Sequence, residues 1–326
     1  MATSSALGAY TRVSKLGAGT FASAHLVRHN DSQKLWVMKR IPCKHMRAAN
    51  AALVEVKVLM SVAHAGIVGY RDFFLDSDSE DNIVICLLME HCADGDLWEP
   101  IAAAQRKKAT MDMARCTVWL LQLIAALRYL HARDVLHRDI KPENIFLTQD
   151  GVVCKLGDFG LAKVSSGEHV AQQANTQCGT PDYMAPEVLE GSEYSRPADV
   201  FSLGGVVYAL VCSHLPKMLA MKLGQGKALE WYSPRVEGPS GKLDGVEAPP
   251  LAATRRELRS LVGASMLLAA PAARITLDDL AARVAKLPAV ATLNGDALAV
   301  ATAAMAPCTA FRVRLSGQIR FYIKKP

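Results

Sequence analysis

The sequence lacks the cysteine patterns that bind zinc or build a disulfide framework. It has eight cysteines, none of them in a CxxC pair, and several lie inside apolar runs. Cysteines distributed in this way are typical of reduced thiols in the core of a cytosolic protein. We therefore expect buried free cysteines and a cytoplasmic location.

Long apolar runs and a strong excess of one charge are also missing. No run reaches the ~18 apolar residues that a membrane span needs, and residues 1–17 contain no stretch suited to a signal peptide. The formal charge is +6, and the compact basic runs at 106–108 and 323–325 are short enough to be solvated surface. We therefore expect an intracellular protein with no membrane span and no direct nucleic-acid binding.

The composition is that of a globular protein. Apolar residues make up 51% and charged residues 21% of the 326 positions, so one large domain or two smaller lobes can bury a full core. Residues 10–90 predict short strands and one helix over 50–63, whereas long helical patterns follow, among them 113–133 and 196–212. The sequence therefore predicts an α+β fold with a small β-rich lobe, a larger α-helical lobe and a cleft between them.

Two finer expectations concern a helix start and a connection. Thr110 is expected to cap the helix over 113–133, with Asp112 in its first turn. Residues 222–250 are rich in Gly, Pro and Ser, which predicts a long surface connection.

A glycine-rich stretch, "LGAGTFA" at 16–22, lies between two predicted strands. Gly17 and Gly19 would let the backbone fold over a phosphate and present N–H groups to it. Taken alone, two such glycines more often mark an ordinary turn. The strand–loop–strand setting argues against a dinucleotide fold or a Walker loop, because both need a helix after the loop.

A lysine, Lys39, stands inside the apolar strand that contains "VMK". A lysine in the middle of a strand ordinarily faces solvent, but alternation places Val37 and Lys39 on one face, which could also be the cleft face. Glu55 on the following helix could pair with it. The two alternatives are evenly balanced on these residues alone.

The most charged motif is "HRDIKPEN" at 137–144, which follows the long predicted helix. Asp139 can present a carboxylate to a substrate hydroxyl, and Asn144 an amide oxygen to a metal ion. Lys141 would neutralise charge on a transferred phosphoryl group. Farther along, "GDFG" supplies Asp158 as a second metal-binding residue, in an order typical of kinases.

Together these motifs resemble those of the eukaryotic protein kinases, and the resemblance covers about residues 10–288. "GTPDYMAPE" (179–187) is similar to the end of an activation segment, and "DVFSLG" (199–204) to the buried helix after it. Arg274 matches the arginine that pairs with the glutamate of APE, here Glu187. Lys141 and the "GTP" stretch resemble serine/threonine rather than tyrosine kinases.

Within that group the sequence is most similar to the NIMA-related (Nek) kinases. The similar stretches are "EVKVLMSVAHAGIV", "MEHCADGDL", "NIFL" and "KLGDFGLAK". The resemblance implies transfer of the ATP γ-phosphate to Ser/Thr hydroxyls of protein substrates, with Mg²⁺. It also allows an association with the cytoskeleton, centrosome or basal body. The oligomeric state stays open, with a monomer as one alternative.

The resemblance implies a role for each part of the nucleotide site. Lys39, held by Glu55, would orient the α- and β-phosphates, while Asn144 and Asp158 hold Mg²⁺. The nucleotide would contact the glycine loop at Gly17 and Gly19, and the adenine would lie between Leu16 and Ala24 on one side and Phe146 on the other. Met89 would be the gatekeeper, and the adenine edge would meet Glu90 and Cys92.

The sequence departs from the kinase pattern at the glycine loop. The third glycine is Ala22, which should stiffen the loop slightly. The valine that usually covers the adenine falls at Ala24, and the missing methyl groups cost up to ~1.5 kcal/mol of burial. The chemical positions are unaltered.

The resemblance also predicts control by phosphorylation. Arg138 precedes the catalytic aspartate and needs an anion, yet 170–178 contains no acidic residue. Phosphorylation of Thr176 would supply that anion and order the segment, with Ser165 and Ser166 as rival sites. Thr180 is expected to act unmodified, near Asp139 and Lys141.

Two alternatives from other classes remain open. The chain could be a pseudokinase that scaffolds partners, although Lys39, Asp139 and Asp158 are all present. It could also act mainly through residues 289–326, which follow the kinase region. That tail could be a hairpin around "SGQ", the stub of a further domain or a poorly ordered segment. Residues 1–9 are expected to be an N-terminal extension, and the lobes to span about 10–90 and 96–288.

Overall fold

The computed structural model describes residues 8–19, 22–164, 179–214 and 249–293, together with Pro216 and Ala299. Two lobes are present, and the predicted α+β architecture is confirmed. The first lobe is a five-stranded antiparallel sheet with one helix, and the second is mainly helical.

The strands of the first lobe follow the alternating runs of the sequence. Their order in the sheet is β1-β2-β3-β5-β4. The strands are β1 (Tyr10–Ala18), β2 (Ser23–His29), β3 (Leu35–Cys43), β4 (Tyr70–Ser77) and β5 (Ile83–Glu90). Side chains on the inner face pack on the helix of this lobe, while Val27, Trp36, Met38 and Phe74 form a second cluster on the outer face.

The helix of this lobe, α1 (Met46–Ser61), begins four residues before the predicted start at 50. The reason is a cap that the prediction missed: the Nδ1 atom of His45 accepts a hydrogen bond from the Ala48 N–H at 3.1 Å. Capping satisfies a donor that would otherwise lack a partner in the first turn. Val56 and Leu59 on this helix are buried, and so is the carboxylate-bearing Glu55.

The second lobe contains six α-helices and two short strand pairs within its described part. The helices are α2 (Trp98–Arg106), α3 (Met113–His131), α4 (Pro186–Leu189), α5 (Arg196–Cys212), α6 (Pro249–Leu261) and α7 (Leu277–Val284). The strands β6 (Val135–Leu136) and β9 (Lys163–Val164) pair, as do β7 (Ile145–Thr148) and β8 (Val153–Leu156). The loop that contains the charged motif therefore runs from β6 to β7.

Helix α3 is the central helix of this lobe. The helix begins at Met113, as predicted, but the expected cap at Thr110 is wrong. The capping residue is Asp112, whose side chain accepts the Ala114 N–H at 2.9 Å. By length and composition α3 could cross a membrane, but most of it is buried inside the lobe. Trp119 and Leu123 of α3 and Phe201 of α5 are among the fully buried side chains of this lobe.

Backbone hydrogen bonds fix the segment that joins the lobes. The Asp94 N–H donates to the Leu147 carbonyl at 3.1 Å, and the Leu147 N–H donates to the Gly95 carbonyl at 2.8 Å. On the other side of the cleft, the Val68 N–H donates to the Leu156 carbonyl at 2.9 Å. The β7–β8 hairpin is therefore attached both to the joining segment and to the first lobe.

Several expectations concern residues outside the described ranges. Residues 222–248 of the predicted connection lie outside them. So do residues 1–7, the site at Thr176 and the hairpin proposed for the tail. The packed part of the second lobe continues at least to Leu293, because Ala289 is buried and its N–H donates to the Thr254 hydroxyl at 2.8 Å. Cys43, Cys86 and Cys154 are buried free thiols, whereas Cys92 is half-buried.

The predicted pair of Arg274 and Glu187 is confirmed, and it generates a stability prediction. Two parallel hydrogen bonds of 2.5 and 2.6 Å join the guanidinium to the carboxylate, and the Arg274 side chain is fully buried. Glu187→Gln keeps the shape but leaves the buried cation without its counter-charge, so we expect a loss of about 3 kcal/mol in the free energy of unfolding. Urea denaturation measures this loss.

A matched control uses the exposed pair of Glu99 and Arg106, whose side chains are 59% and 60% exposed. Glu99→Gln should cost less than ~1 kcal/mol. Equal losses in the two variants would show that burial does not strengthen the Arg274 pair.

Candidate active site

Lys39 points into the cleft, which decides between the two alternatives left by the sequence. Its Nζ atom lies 2.7 Å from Glu55 Oε1 and 2.8 Å from Asp158 Oδ1. These contacts join β3, α1 and the segment after β8, so one side chain links the two lobes. The predicted pair of Lys39 and Glu55 is therefore present.

The Lys39 ammonium attracts both carboxylates of this triad, while burial and the charge of Asp158 raise the pKa of Glu55. Burial disfavours the ammonium, but the carboxylates of Glu55 and Asp158 outweigh that effect and raise the pKa of Lys39. Burial also disfavours the Asp158 carboxylate, yet the nearby Lys39 outweighs it and lowers the pKa of Asp158. At neutral pH, Lys39 is therefore a cation and Asp158 an anion.

Asp139 lies in the loop between β6 and β7, where its neighbours brace it. Its Oδ1 accepts the Thr180 hydroxyl at 3.0 Å, and its Oδ2 accepts the Asn144 side-chain amide at 2.9 Å. Lys141 lies 3.0 Å from the same carboxylate and donates to Thr180 at 2.7 Å. The structure thus brings together Asp139, Lys141, Asn144 and Thr180, as expected for an unmodified Thr180 hydroxyl that holds the loop.

A further residue, Asp199, holds the backbone of this loop, and the sequence reasoning gave it no role. Its fully buried carboxylate accepts the N–H groups of His137 and Arg138, each at 3.1 Å, and the Tyr194 hydroxyl at 2.8 Å. Arg138 has a left-handed backbone with φ of 72°, a strained conformation that needs such support. The sequence signal for this role is an aspartate at the start of an otherwise apolar helix, because a buried charge needs hydrogen-bond partners.

The segment around Asp158 is held by His137 and Phe159. The buried His137 ring donates from Nε2 to the Gly157 carbonyl at 3.0 Å and packs edge-on against Phe159, with 5.0 Å between ring centroids. Burial lowers the pKa of His137, so the ring is neutral. Gly157 has no room for a side chain, because a Cβ there would lie 2.8 Å from the Phe146 ring.

Asn144 and Asp158 fit the metal-binding role that the sequence predicts. The Asn144 amide nitrogen donates to the backbone carbonyl and to the carboxylate of Asp139. The amide oxygen accepts no hydrogen bond within the described part of the chain, so it can coordinate an ion. Oxygen donors of these two types are the ligands that Mg²⁺ prefers.

The predicted nucleotide contacts line the cleft above and beside Lys39. Ala24 is paired with Lys39 and with Gly17 in the β-sheet register, so all three share the cleft face. A Cβ at Gly17 would meet nothing within 4 Å, and Leu16 is 51% exposed. Within the described residues, the space beside Gly17 is therefore open.

The other predicted contacts lie at the back and floor of the cleft. Met89 and Glu90 end β5, and Cys92 is half-buried just beyond it. Phe146 lies on β7 and forms an isolated bridge with Asp96. The sequence reasoning gave Asp96 no role. Its side chain accepts the Trp98 N–H at 3.0 Å and thereby starts α2.

Arg138 is nine-tenths buried, and its Nε atom has no hydrogen-bond partner among the described residues. Its guanidinium lies over the Tyr194 ring at 5.5 Å. Thr176, its predicted phosphorylated partner, lies outside the described ranges.

Comparison with known proteins agrees with this geometry. A model of the protein kinase domain matches residues 10–283. Over 203 residues, 62% of this chain, the sequence is 37% identical to the mouse serine/threonine-protein kinase Nek1 and covers 16% of it. It is 36% identical to rice Nek3, of which it covers 33%, and 34% identical to human Nek5, of which it covers 27%.

The chain thus spans a third or less of these three relatives. The match includes the cleft with Lys39, Asp139 and Asp158. The chain therefore belongs to the protein kinase family, and its sequence is similar to the Nek serine/threonine kinases.

Proposed function

We propose that this chain transfers the γ-phosphate of Mg-ATP to serine and threonine hydroxyls of protein substrates. The observation that carries the proposal is the Lys39 ammonium held between Glu55 and Asp158, within a cleft that also presents Asp139. Such a site accelerates phosphoryl transfer by positioning and by charge.

Each residue has a task that its contacts support. Lys39 is fixed by Glu55, so its charge can hold the phosphates of ATP in place. Asp139 already accepts a hydroxyl hydrogen bond, from Thr180, which supports its role as the acceptor of the proton of a substrate hydroxyl. Lys141, beside the same carboxylate, would offset the negative charge of the phosphoryl group.

Asn144 and Asp158 would hold Mg²⁺, which when bound neutralises charge on the phosphates. The scaffold alternative receives no comparable support, because the residues whose loss would indicate it are all retained. We also propose protein substrates rather than nucleic acids as partners, and a cytoplasmic location.

The first prediction of the proposed function concerns Lys39→Met. We expect this variant to fold but to lose at least 100-fold in the rate of phosphate transfer, because the phosphates lose their positioning cation. The parent should also gain thermal stability in millimolar Mg-ATP, because a ligand that binds only the folded state stabilises it. Transfer of radiolabelled phosphate to casein and a thermal shift assay measure the two effects.

The matched control is Lys57→Met, which removes the same charge from an exposed position of α1. It should transfer phosphate at the parent rate. A folded Lys39→Met variant with parental turnover would overturn the role proposed for this lysine.

We further propose that phosphorylation of Thr176 activates the enzyme. The support is the buried guanidinium of Arg138, whose Nε atom lacks a hydrogen-bond partner among the described residues. A phosphate on Thr176 would carry about −1.5 to −2 charges and several acceptor oxygens. Paired with Arg138, it would order the activation segment and complete the surface on which the substrate lies.

The second prediction therefore concerns Thr176→Ala. We expect turnover to fall at least tenfold with little change in ATP binding, because Lys39 and its partners are untouched. Phosphopeptide mapping and steady-state kinetics test this together. Ser165→Ala and Ser166→Ala are the matched controls and should stay active. If active enzyme carries no phosphate on Thr176 and Thr176→Ala is fully active, control lies elsewhere.

A further inference from the structure

Three groups from separate parts of the chain meet where the lobes join. Lys155 of β8 places its Nζ atom 2.6 and 2.7 Å from the two carboxylate oxygens of Glu90, the last residue of β5. One of these oxygens also accepts the Gly69 N–H at 3.0 Å. We name Glu90, Lys155 and Gly69 the hinge clasp.

We propose that the hinge clasp sets the affinity for nucleotide by holding the backbone at Glu90 and Cys92 in position. This rests on the proposed function, because the adenine edge is expected to meet these two residues. Lys155 is then a positioning residue for a site that it does not itself enter.

Glu90 is held by hydrogen bonds to Gly69 as well as by its ion pair with Lys155. Its N–H donates to the Gly69 carbonyl at 2.8 Å while its carboxylate accepts the Gly69 N–H, so the two residues close a ring of hydrogen bonds. A Cβ at Gly69 would lie 3.2 Å from the Glu90 carboxylate, a contact that a larger residue would crowd. The end of β5 is thus attached to the segment before β4.

Lys155 extends this attachment across the lobe boundary. It belongs to the β7–β8 hairpin and is paired in register with Phe146, the predicted floor of the adenine site. The side chains of Lys155 and Glu90 are 15% and 34% exposed, whereas both side chains of the pair of Arg106 and Glu99 are more than half exposed. A pair shielded from water interacts more strongly than a fully solvated one.

The clasp also acts electrostatically on the hinge. Burial and then the charge of Glu90 raise the pKa of the Cys92 thiol to about 11, so the Glu90 carboxylate lies close enough to influence the residue beyond it. Lys39, Asp139 and Asp158 have their own contacts and none of them touches the clasp. Breaking the clasp should therefore change nucleotide affinity much more than the chemical step.

The test is steady-state kinetics with varied ATP, together with direct measurement of Mg-ATP binding. Lys155→Met keeps the aliphatic stem but removes the ammonium. We expect the KM and Kd for ATP to rise about 3- to 10-fold and kcat to change less than twofold. This pattern arises when a variant weakens binding of the ground state and the transition state equally. Lys155→Arg should restore parental KM, because a guanidinium can also bind both carboxylate oxygens.

Glu90→Gln is the second variant and keeps the test valid if Lys155→Met fails to fold. It should raise KM similarly, and the double variant should be no worse than either single variant, because both break one interaction. Arg106→Met breaks the exposed pair with Glu99 and should leave KM at the parental value.

The outcomes separate this proposal from the proposed function. If the parent neither binds ATP nor transfers phosphate, the proposed function fails. If the parent is active but Lys155→Met and Glu90→Gln both keep KM within twofold of the parent, the clasp proposal is overturned and the kinase activity stands. A fall in kcat without a change in KM would likewise overturn it.

Discussion

The arrangement of the two lobes depends on one buried ion cluster, in which the Lys39 ammonium lies between Glu55 and Asp158. Each charge would be costly alone in a partly buried site. The opposite charges outweigh this cost for Lys39 and Asp158, whereas burial still raises the pKa of Glu55 despite the nearby Lys39. The cluster also couples three parts of the structure, because Glu55 belongs to α1, Lys39 to the sheet and Asp158 to the second lobe. A displacement of α1 would remove Glu55 and leave Lys39 paired with Asp158 alone.

A second polar framework, centred on Asp199, supports the other half of the site. One buried carboxylate accepts backbone donors from His137 and Arg138, and the left-handed backbone of Arg138 then directs the following residue, Asp139, into the cleft. Burial disfavours the Asp199 carboxylate, but His131, His137 and the Arg138 N–H together outweigh that effect and lower the pKa of Asp199, so this acceptor stays ionised. The reactive groups are therefore placed by buried charges that do not themselves meet the substrate.

Much of this was predictable from the sequence, but only where the signal is local. The spacing of Asp139 and Asn144 and the bounds of α5 each depend on residues close together in the chain, whereas the alternation in "VMK" left the direction of Lys39 open. The cap of α3 was wrongly assigned to Thr110 because several polar residues precede the helix and only the backbone conformation shows which one begins it. Asp199 was missed because its partners in the loop and on α3 are 61 to 68 residues away, and the pair of Glu90 and Lys155 because its members are 65 residues apart. No periodic pattern connects such positions.

The central claim is that this cleft transfers phosphate through Asp139. The most direct measurement compares parent and Asp139→Asn for the transfer of radiolabelled γ-phosphate to serine and threonine, with Mg-ATP binding measured on the same samples. The account predicts labelled phosphoserine or phosphothreonine with the parent, and a rate roughly 100- to 10,000-fold lower for Asp139→Asn with ATP still bound. A parent that binds Mg-ATP but labels no protein, or an Asp139→Asn variant that transfers at the parental rate, would contradict it.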